Sequence, residues 1–315
     1  MVPKGNQLTL TESTLKFAAV DIGSNAVRLQ VSSVLHAADK TKLKRVEYIR
    51  FPLRLGNDVF KRQIISAANE QRLLQLLQAF QLLIKLYEVD DYMVCATSAF
   101  RDAHNNQAIS RRIQEDLGLS IRIIDGKEEA MLIEKAIKPL LLENSGCMHV
   151  DVGGGSTEVS FYTDEEQIAS RSFDLGSVRV LEDPKATTAW EQMKSWIKEQ
   201  KQRFVFPPIG VATGGNIRKL AQLAKRGIKK TLSLQKLMAI QAYVASFSLE
   251  ERIHELELNP DRADVILPAT QIYATAMQCG GIEEILVPDV SLRDGIIQVL
   301  YERNAAKPNA IPSTS

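Results

Sequence analysis

Two short turns in the sequence combine a carboxylate with residues that have small side chains. They are Asp21-Ile22-Gly23-Ser24-Asn25 and Asp151-Val152-Gly153-Gly154-Gly155, each between two runs of β-forming residues. Small residues expose backbone N–H groups that can point into one concavity and bind phosphate oxygens. The carboxylates of Asp151 and Asp21 can hold Mg²⁺, which would neutralise charge on bound phosphates. Two such turns facing each other would clamp a phosphate chain, whereas either one alone is a common tight turn.

Polar side chains beside the turns add further phosphate ligands. Hydroxyl or amide groups occur at Ser24, Asn25, Ser156 and Thr157. A third turn, Gly214-Gly215, joins a short apolar run to a helix, and the free N–H groups at a helix N-terminus favour anions. The alternative for this third turn is a simple strand-to-helix connection.

Three charged residues are candidates for the chemistry itself. Arg101 follows a strand and a Thr-Ser pair, and its forked donors suit phosphate oxygens, although an exposed structural arginine is the alternative. Glu128 and Glu129 open a helix, where acids stabilise the helix dipole without any further role. If the reaction is phosphate hydrolysis, one of them is the natural group to orient and deprotonate the attacking water, and composition does not choose between them.

One dense basic run, Lys225-Arg226-Gly227-Ile228-Lys229-Lys230, stands apart from these motifs. It is either a solvated turn or a patch that guides an extended polyanion toward a cleft.

Alternating strands and helices must position these residues. The pattern predicts a hairpin over residues 17–34, a third strand over 46–55 and an amphipathic helix behind a capping Ser66. It then predicts a strand at 91–96, a helix at 106–117, a strand at 121–124, a helix at 128–142 and a turn at 143–146. Three more strands follow within residues 147–176, and helices dominate 190–277 around strands at 209–212 and 285–287. This order indicates an α/β layer fold.

An internal repeat organises the chain. The segment that begins at Asp21 and the segment that begins at Asp151, 130 residues later (151 − 21), share the order apolar strand, aspartate, small-residue turn and second strand. Duplication of one architecture is favoured over a chance similarity between two hairpins.

The composition is that of a soluble globular protein. The 315 residues include 39 Lys+Arg and 38 Asp+Glu, with 45% apolar residues, and the length predicts two domains. The net charge of +1 gives no global attraction for nucleic acid or for anionic membranes, so neither is expected as a partner.

Cysteines and histidines are too few and too scattered for structural sites. The three cysteines and four histidines offer neither a disulfide framework nor zinc-ligand spacing. The N-terminal residues lack the apolar core of a signal peptide, and no window reaches roughly 18 uncharged apolar residues. We therefore expect a cytoplasmic protein, with residues 304–315 frayed.

Taken in order, the motifs resemble one family, the exopolyphosphatase/guanosine pentaphosphate phosphohydrolase (Ppx/GppA) family. They are FAAVDIGSNAVRL, ATSAFRDAHN, IIDGKEEAMLI, HVDVGGGSTEVSF, SFDLGSVRV, GVATGGNIRKL, NPDRADVILPA and SLRDGIIQVL. The glycine turns alone occur throughout the actin, sugar-kinase and Hsp70 superfamily, whereas KEEA and SLRDG are more selective.

The resemblance implies an α/β fold of two duplicated ribonuclease H-like (actin-like ATPase) domains that flank a cleft. We expect these domains at residues 14–130 and 131–293, with a C-terminal helix at about 294–305 that packs back on the first domain.

The resemblance also implies roles for individual residues. Glu129 would be the general base, Arg101 would contact phosphate, and Asp151, Asp21 and Glu158 would serve Mg²⁺ binding and catalysis. The phosphate-binding residues would be Gly23, Ser24, Asn25, Gly153, Gly154, Gly155, Ser156 and Thr157, joined by Gly214 and Gly215. This set fits in-line attack of water on a terminal phosphorus, without a covalent intermediate.

The implied substrate is inorganic polyphosphate or a guanosine penta- or tetraphosphate, with Mg²⁺ as cofactor and a homodimer as a possible assembly. Only the two-domain core of the family matches, which favours short-chain polyphosphate or the guanosine nucleotide over very long chains. Two rivals stay open: an ATP-dependent phosphotransferase of the same superfamily and a non-catalytic sensor of guanosine alarmones.

Overall fold

Two β-sheets with matching topology organise the chain. The computed structural model describes residues 15–37, 40–141, 146–163, 166–183, 186–204, 208–224 and 231–305. The basic run at 225–230 lies outside these residues, as do most of the predicted turn at 143–146 and of the tail.

The first sheet has the order β3-β2-β1-β4-β5. Its strands are β1 (Lys16–Ile22), β2 (Val27–Ala37), β3 (Lys40–Phe51), β4 (Asp91–Ala96) and β5 (Ile121–Ile123). Strands β1, β2 and β3 form an antiparallel meander, whereas β4 runs parallel to β1, and β5 runs parallel to β4.

The second sheet has the order β10-β11-β9-β6-β7-β8. Its strands are β6 (Gly146–Val152), β7 (Thr157–Thr163), β8 (Glu166–Phe173), β9 (Ile209–Thr213), β10 (Thr231–Ser233) and β11 (Glu284–Leu286). Strands β6, β7 and β8 form an antiparallel meander, and β9 and β11 continue the sheet in parallel.

The two sheets confirm the predicted duplication. Without β10, the second sheet repeats the strand order and the strand directions of the first. Even the irregularities repeat: the register shifts between Val31 and Ser32 in the β2–β3 ladder, and 130 residues later it shifts between Phe161 and Tyr162 in the β7–β8 ladder.

Helices cover both sheets. They are α1 (Leu55–Arg62), α2 (Ala67–Leu86), α3 (Ser98–Asp102), α4 (Asn106–Leu117), α5 (Gly126–Ile137), α6 (Arg179–Glu182), α7 (Ala186–Lys201), α8 (Gly215–Leu223), α9 (Leu234–Ala245), α10 (Leu249–His254), α11 (Pro260–Ala263), α12 (Ile266–Gly280) and α13 (Leu292–Ala305). No helix among the described residues is long and apolar enough to cross a membrane.

Strand periodicity divides the interior into three apolar cores. Ala18, Val20 and Ile22 of β1 face one core with α2 and α4, and the second sheet has its own core with α7, α9 and α12. The alternate residues Phe17 and Ala19 face a third core, which holds α5, α13 and the inner face of the second sheet. Because successive side chains of a strand point to opposite faces, each sheet is buried on both sides.

Helix α13 returns to the first sheet, where it packs on β1 and α5. The contact is close at Gly295, because a Cβ atom there would lie only 1.7 Å from the carbonyl oxygen of Leu132. The division into domains 14–130 and 131–293 stays a prediction, and its boundary falls inside α5.

Two predicted elements begin at other residues in the structure, and one short strand was not predicted. Strand β3 begins at Lys40 rather than 46, because its first residues are polar and lie on an exposed edge, and it ends before Pro52. Helix α5 begins at Gly126, since the Asp125 side chain accepts a hydrogen bond from the N–H of Glu128 and caps it. Strand β10 has only three residues, too few for a periodic pattern.

Candidate active site

The cleft between the sheets follows from the alternation of side chains in two strands. Asp21 continues the inward-facing set of β1, and Asp151 continues the corresponding set of β6, beyond Cys147 and His149. Both aspartates therefore end their strands on the faces that look toward each other across α5 and α13.

A cavity of about 80 Å³ lies at this meeting point. Its lining residues are Asp21, Gly23, Ser24, Asn25, Arg28, Thr97, Ser98, Glu129, Asp151, Val152, Gly153, Gly154, Ser156, Gly214, Gly215, Arg218, Ser291, Leu292 and Arg293. The structure thus brings together eleven of the fifteen predicted site residues, from both sheets and from three separate turns.

The first glycine turn (residues 23–26) and the second glycine turn (residues 153–156) have the same construction. In each, the N–H of the first glycine donates to the carbonyl oxygen three residues later, Gly23 to Ala26 at 3.2 Å and Gly153 to Ser156 at 2.9 Å. In each turn, a backbone N–H from a later segment of the chain donates to a carbonyl oxygen of the turn: Gly56 N–H to Ser24 O and Val178 N–H to Gly154 O, both at 2.8 Å.

Four amides of these turns are left without a protein acceptor. Within the described residues, the N–H groups of Ser24, Asn25, Gly154 and Gly155 make no hydrogen bond. Adjacent unpaired amides of this kind form an anion-binding concavity.

The two glycine turns also touch. A Cβ atom on Gly154 would lie 2.9 Å from the Cβ of Ser24, and one on Gly155 would lie 2.4 Å from the Oγ of Ser98. Gly155 does not line the cavity; its missing side chain instead lets the second turn approach α3 and the first turn. The Ser24 hydroxyl is held in this contact, 2.9 Å from Ser98 Oγ, and accepts from Ala99 N–H.

The two glutamates at the start of α5 lie in different surroundings. Glu128 pairs with Arg122 at 2.6 Å, outside the cavity. Glu129 is only 8% exposed, lines the cavity, and its buried Oε2 has no hydrogen-bond partner in the described residues. Of the two, only Glu129 is placed to meet a water molecule in the cleft.

Carboxylates gather near Glu129. Glu158 lies directly opposite Asp151 in the β6–β7 ladder, is 1% exposed, and has one oxygen bonded to Ser172 and the other without a partner. Burial and the neighbouring carboxylates Glu158, Asp151 and Asp21 raise the pKa of Glu129 well above its usual value. Burial and Asp151 likewise raise the pKa of Glu158 to about 7.

These carboxylates fit a bound divalent cation. Two buried oxygens without a partner and the raised pKa values indicate uncompensated negative charge, which a cation would offset. The predicted trio Asp21, Asp151 and Glu158 does not assemble as a metal-ligand cluster, since no group of three or more His, Cys, Asp or Glu in the described ranges could hold a metal. Mg²⁺ needs only one or two carboxylates when phosphates and water complete its shell.

Asp21 has a different environment from Asp151, despite their equivalent positions. Its Oδ2 accepts from Arg28 at 2.9 Å and from Arg293 at 3.1 Å. Two arginines therefore already compensate the charge of Asp21, which makes it a weaker candidate for a metal ligand than Asp151.

Three other predicted residues lie beside the cavity rather than on its wall. The Thr157 hydroxyl is fully buried and donates to the carbonyl of Leu175. Arg101 donates to the carbonyl of Ile124 at 3.0 Å, just before α5, and its charge opposes the rise in the pKa of Glu129. Thr157, Arg101 and Glu158 thus hold the surrounding elements in this structure, and their direct contact with substrate stays a prediction.

The conformation of the third turn depends on the glycine at 214 and on the hydroxyl of Tyr273. Gly214 has φ 116°, a conformation that L side chains rarely adopt, and a Cβ atom there would lie 2.7 Å from the Tyr273 hydroxyl. The β6–β9 ladder ends at Asp151 and Thr213, where Tyr273 takes over: its hydroxyl donates to Thr213 O and accepts from Val152 N–H. Tyr273 thus braces both strands at the floor of the site.

Sequence reasoning missed three arginines on the cavity wall. Arg28, Arg218 and Arg293 occur within the motifs FAAVDIGSNAVRL, GVATGGNIRKL and SLRDGIIQVL. Arg218 also pairs with Asp289 at 2.6 Å. For Arg28 and Arg218, the available signal was their position a few residues after the first and the third glycine turn, whereas Arg293 follows no such turn.

Comparisons with known proteins agree with this geometry. Residues 34–303 match the model of the Ppx/GppA phosphatase family. Exopolyphosphatase 1 of Mycobacterium tuberculosis is 25% identical over 321 residues, which cover 96% of this chain and 92% of the relative.

Solved structures of similar proteins share the fold. An exopolyphosphatase from Cytophaga hutchinsonii has a TM-score of 0.78 at 20% identity, covering 91% of this chain and 98% of that one. A Ppx/GppA family member from Aquifex aeolicus has a TM-score of 0.72 at 24% identity, covering 91% and 98%. The two-domain actin-like fold is therefore confirmed.

Proposed function

This chain belongs to the Ppx/GppA phosphatase family of phosphoanhydride hydrolases, and we propose that it releases the terminal phosphate of polyphosphate or guanosine pentaphosphate to water. One observation carries the proposal: unpaired amides of two facing turns share a cavity with the unpartnered carboxylate oxygen of Glu129. The amides suit phosphate oxygens, and the carboxylate suits a nucleophilic water.

Substrate binding would begin with the terminal phosphate on the N–H groups of Ser24, Asn25 and Gly154, which line the cavity. The guanidinium groups of Arg28, Arg218 and Arg293 line the same cavity and would offset the phosphate charge. The terminal phosphate would occupy this cavity beside Glu129, so attack at the chain end is expected.

Glu129 would then act as general base. It accepts a proton from the attacking water on its free oxygen, and the water oxygen attacks phosphorus opposite the bridging oxygen that leaves. A raised pKa suits this task because a carboxylate that holds a proton more tightly is a stronger base than an ordinary one.

Mg²⁺ would be held by Asp151 and Glu158, and when bound it would neutralise charge on the phosphate oxygens. We propose polyphosphate as the first substrate because the Mycobacterium tuberculosis relative is named an exopolyphosphatase. Guanosine pentaphosphate is the second, and the cytoplasmic location and the homodimer stay predictions.

Phosphate release measured side by side from short polyphosphate, long polyphosphate, guanosine pentaphosphate and ATP, with and without Mg²⁺, tests the proposal. We expect Mg²⁺-dependent release from polyphosphate without any added acceptor. Release that requires an acceptor would indicate a phosphotransferase, and tight binding without release would indicate a sensor.

The metal site has its own test. Asp151→Asn removes a charge beside Glu158, so we expect a higher Mg²⁺ concentration for half-maximal phosphate release, by roughly 10-fold or more. Asp289→Asn, which alters the nearby Arg218 pair, serves as a control for a general electrostatic change. An unchanged Mg²⁺ dependence of Asp151→Asn would place the metal elsewhere.

A further inference from the structure

One short segment, residues 177–179, holds three successive carbonyl groups of the second glycine turn. The carbonyls of Gly153 and Gly154 accept from backbone N–H groups of this segment at 2.8 to 3.0 Å. The carbonyl of Gly155 instead accepts from a side chain, Nε of Arg179, at 2.7 Å. The orientation of the last of these peptide groups therefore depends on one arginine.

The first glycine turn makes the equivalent contact through its backbone. Asn25 corresponds to Gly155 in the internal repeat, 130 residues earlier (155 − 25), and its carbonyl accepts from the N–H of Arg54 at 3.0 Å. The two halves thus hold the same carbonyl in different ways. In the second half, substitution of a side chain can release it.

The held carbonyl sets the direction of the next N–H group. In a trans peptide the C=O and the N–H point to opposite sides, and none of the described peptide bonds is cis. Because Gly155 O points to Arg179, the N–H of Ser156 in the same peptide group points the other way. Ser156 lines the cavity, whereas Arg179 does not. The contact therefore directs one more amide toward the phosphate site.

The first half of the chain fixes the guanidinium of Arg179. Its Nη2 pairs with Asp102 at the end of α3, and its carbon Cζ lies 4.1 Å from the ring centroid of Phe60 in α1. The Arg179 side chain is only 11% exposed. The planar fork of an arginine presents its donors in fixed directions, so Arg179 joins the second glycine turn to two helices of the first half.

We infer that Arg179 is a positioning residue: it holds the Gly155 carbonyl and so directs the Ser156 N–H at the terminal phosphate, with Asp102 and Phe60 fixing its guanidinium. This inference rests on the proposed function, which places the terminal phosphate in the cavity. A hydrogen bond to a charged group changes binding by roughly 10-fold or more.

Substitutions at Arg179 test this role in binding. Arg179→Met removes the donors but keeps a long side chain, and we expect it to raise KM for polyphosphate and the dissociation constant of inorganic phosphate, each by about 10-fold, with a smaller change in kcat. Arg179→Lys, which keeps the charge but not the fork, should show a smaller loss of the same kind. Lys61→Gln is the control, because the Lys61–Glu182 pair also joins α1 to α6 but involves no atom of the turn.

Amide signals report on the peptide orientation itself. Only three serines in the sequence follow a glycine, namely Ser24, Ser156 and Ser177. Protein made by cell-free synthesis with ¹³C-carbonyl glycine and ¹⁵N-serine therefore gives three signals in an HNCO spectrum. At saturating inorganic phosphate with Mg²⁺, we expect the N–H signals of Ser24 and Ser156 to move downfield, whereas that of Ser177, which donates to Gly153 O, should hardly move. In Arg179→Met the shift at Ser156 should be lost and the shift at Ser24 kept.

Other results would overturn the inference. It fails if phosphate leaves the Ser156 signal of the wild-type protein unmoved, if Arg179→Met keeps the full Ser156 shift, or if Lys61→Gln shows equal losses. If Arg179→Met does not fold, Arg179→Lys takes its place, and a wild-type Ser156 shift with wild-type KM in that variant overturns the inference. If the wild-type protein shows the Ser156 shift but releases no phosphate from any substrate, the proposed function fails and the role of Arg179 in anion binding stands.

Discussion

At the scale of single residues, the start of helix α5 separates two chemically identical side chains. Glu128 pairs with Arg122, while Glu129 faces the cleft with a free oxygen. We expect Glu129→Gln to lower kcat by 10²-fold or more, because a positioned general base contributes roughly that factor. Glu128→Gln is the matched control and should keep kcat within a few-fold.

Phosphate release under saturating polyphosphate measures both variants, with thermal unfolding to check that each is folded. Equal losses in the two variants, or full activity of Glu129→Gln, would remove Glu129 from its role. The amide of Gln cannot accept the proton but fills the same space, so a loss of kcat reports on chemistry rather than packing.

The raised pKa of Glu158 predicts an unusual pH dependence of the protein's stability. The pKa of Glu158 rises from the usual 4.5 to about 7, so the folded protein binds more protons than the unfolded chain between these values. Ionised Glu158 therefore costs stability above pH 7, and the cost disappears as the pH falls toward 4.5.

Glu158→Gln should remove this cost. At pH 8 in a metal chelator, we expect the free energy of unfolding to rise by about 1–3 kcal/mol, since one pKa unit corresponds to about 1.4 kcal/mol. At pH 5 most of the gain should vanish. Denaturant titrations at both pH values measure it, and an equal effect at the two would argue that Glu158 is already ionised at pH 5 in the fold.

At the scale of elements, the crossing of α13 over α5 depends on one glycine. Gly295 brings the backbone of α13 against the Leu132 carbonyl, and α5 carries Glu129 one turn from that contact. A Gly-to-Ala change inside a helix normally stabilises by about 0.5–1 kcal/mol.

At position 295, we expect the change from glycine to alanine to lower the stability instead. Gly295→Ala forces the two helices apart, so we expect a loss of at least about 1–3 kcal/mol of stability and a fall in kcat as Glu129 moves. Chemical denaturation and phosphate release measure the two effects. A stabilised, fully active Gly295→Ala protein would show that the helices can separate without disturbing the site.

The elements were largely predictable because their signals are local. Strands β4 and β9, helix α4 and the Ser66 cap of α2 follow from apolar periodicity, capping residues and the glycine at 118. Strand β10 was missed, since three residues on a sheet edge carry no period. The Tyr273 brace could not be foreseen either, because its partners Val152 and Thr213 are 121 and 60 residues away along the chain.

The site was predictable as far as small-residue turns and acids mark it. The sequence could not show that Asp21 is paired with two arginines, because Arg293 reaches it from the far end of the chain. Nor could it show that Thr157 turns into the interior. Both depend on which elements meet in space, and that is decided by tertiary packing.

At the scale of the whole molecule, ion pairs join the two halves beside the cleft. Asp261 of α11 binds Arg50 of β3 and accepts from Asn25 in the first glycine turn, and Asp264 pairs with Arg54 at 2.5 Å. These contacts hold the second half against the first, so they favour a closed cleft.

Asp264→Asn should shift the molecule toward an open cleft. The Arg54–Asp264 pair is partly exposed, so it contributes about 0.5–1 kcal/mol, which corresponds to a two- to five-fold rise in KM with kcat little changed. Small-angle scattering should show a larger radius of gyration without substrate. Lys194→Gln, which breaks a pair within α7, is the control. A response no larger than that of the control would contradict a role of the Arg54–Asp264 pair in closing the cleft.

Because α13 packs on β1, the core of the first half can be completed only after α13 has been synthesised. The strands of the first sheet leave the ribosome early, but Phe17, Ala19 and Cys95 lack their cover until Ile296, Ile297 and Leu300 have been made. The apolar surface on this side of the first sheet therefore stays exposed until α13 has been made, and nascent chains with exposed apolar surface are prone to aggregate. Helix α13 completes this core, and chaperones that shield apolar surface can act on that side until α13 has been synthesised.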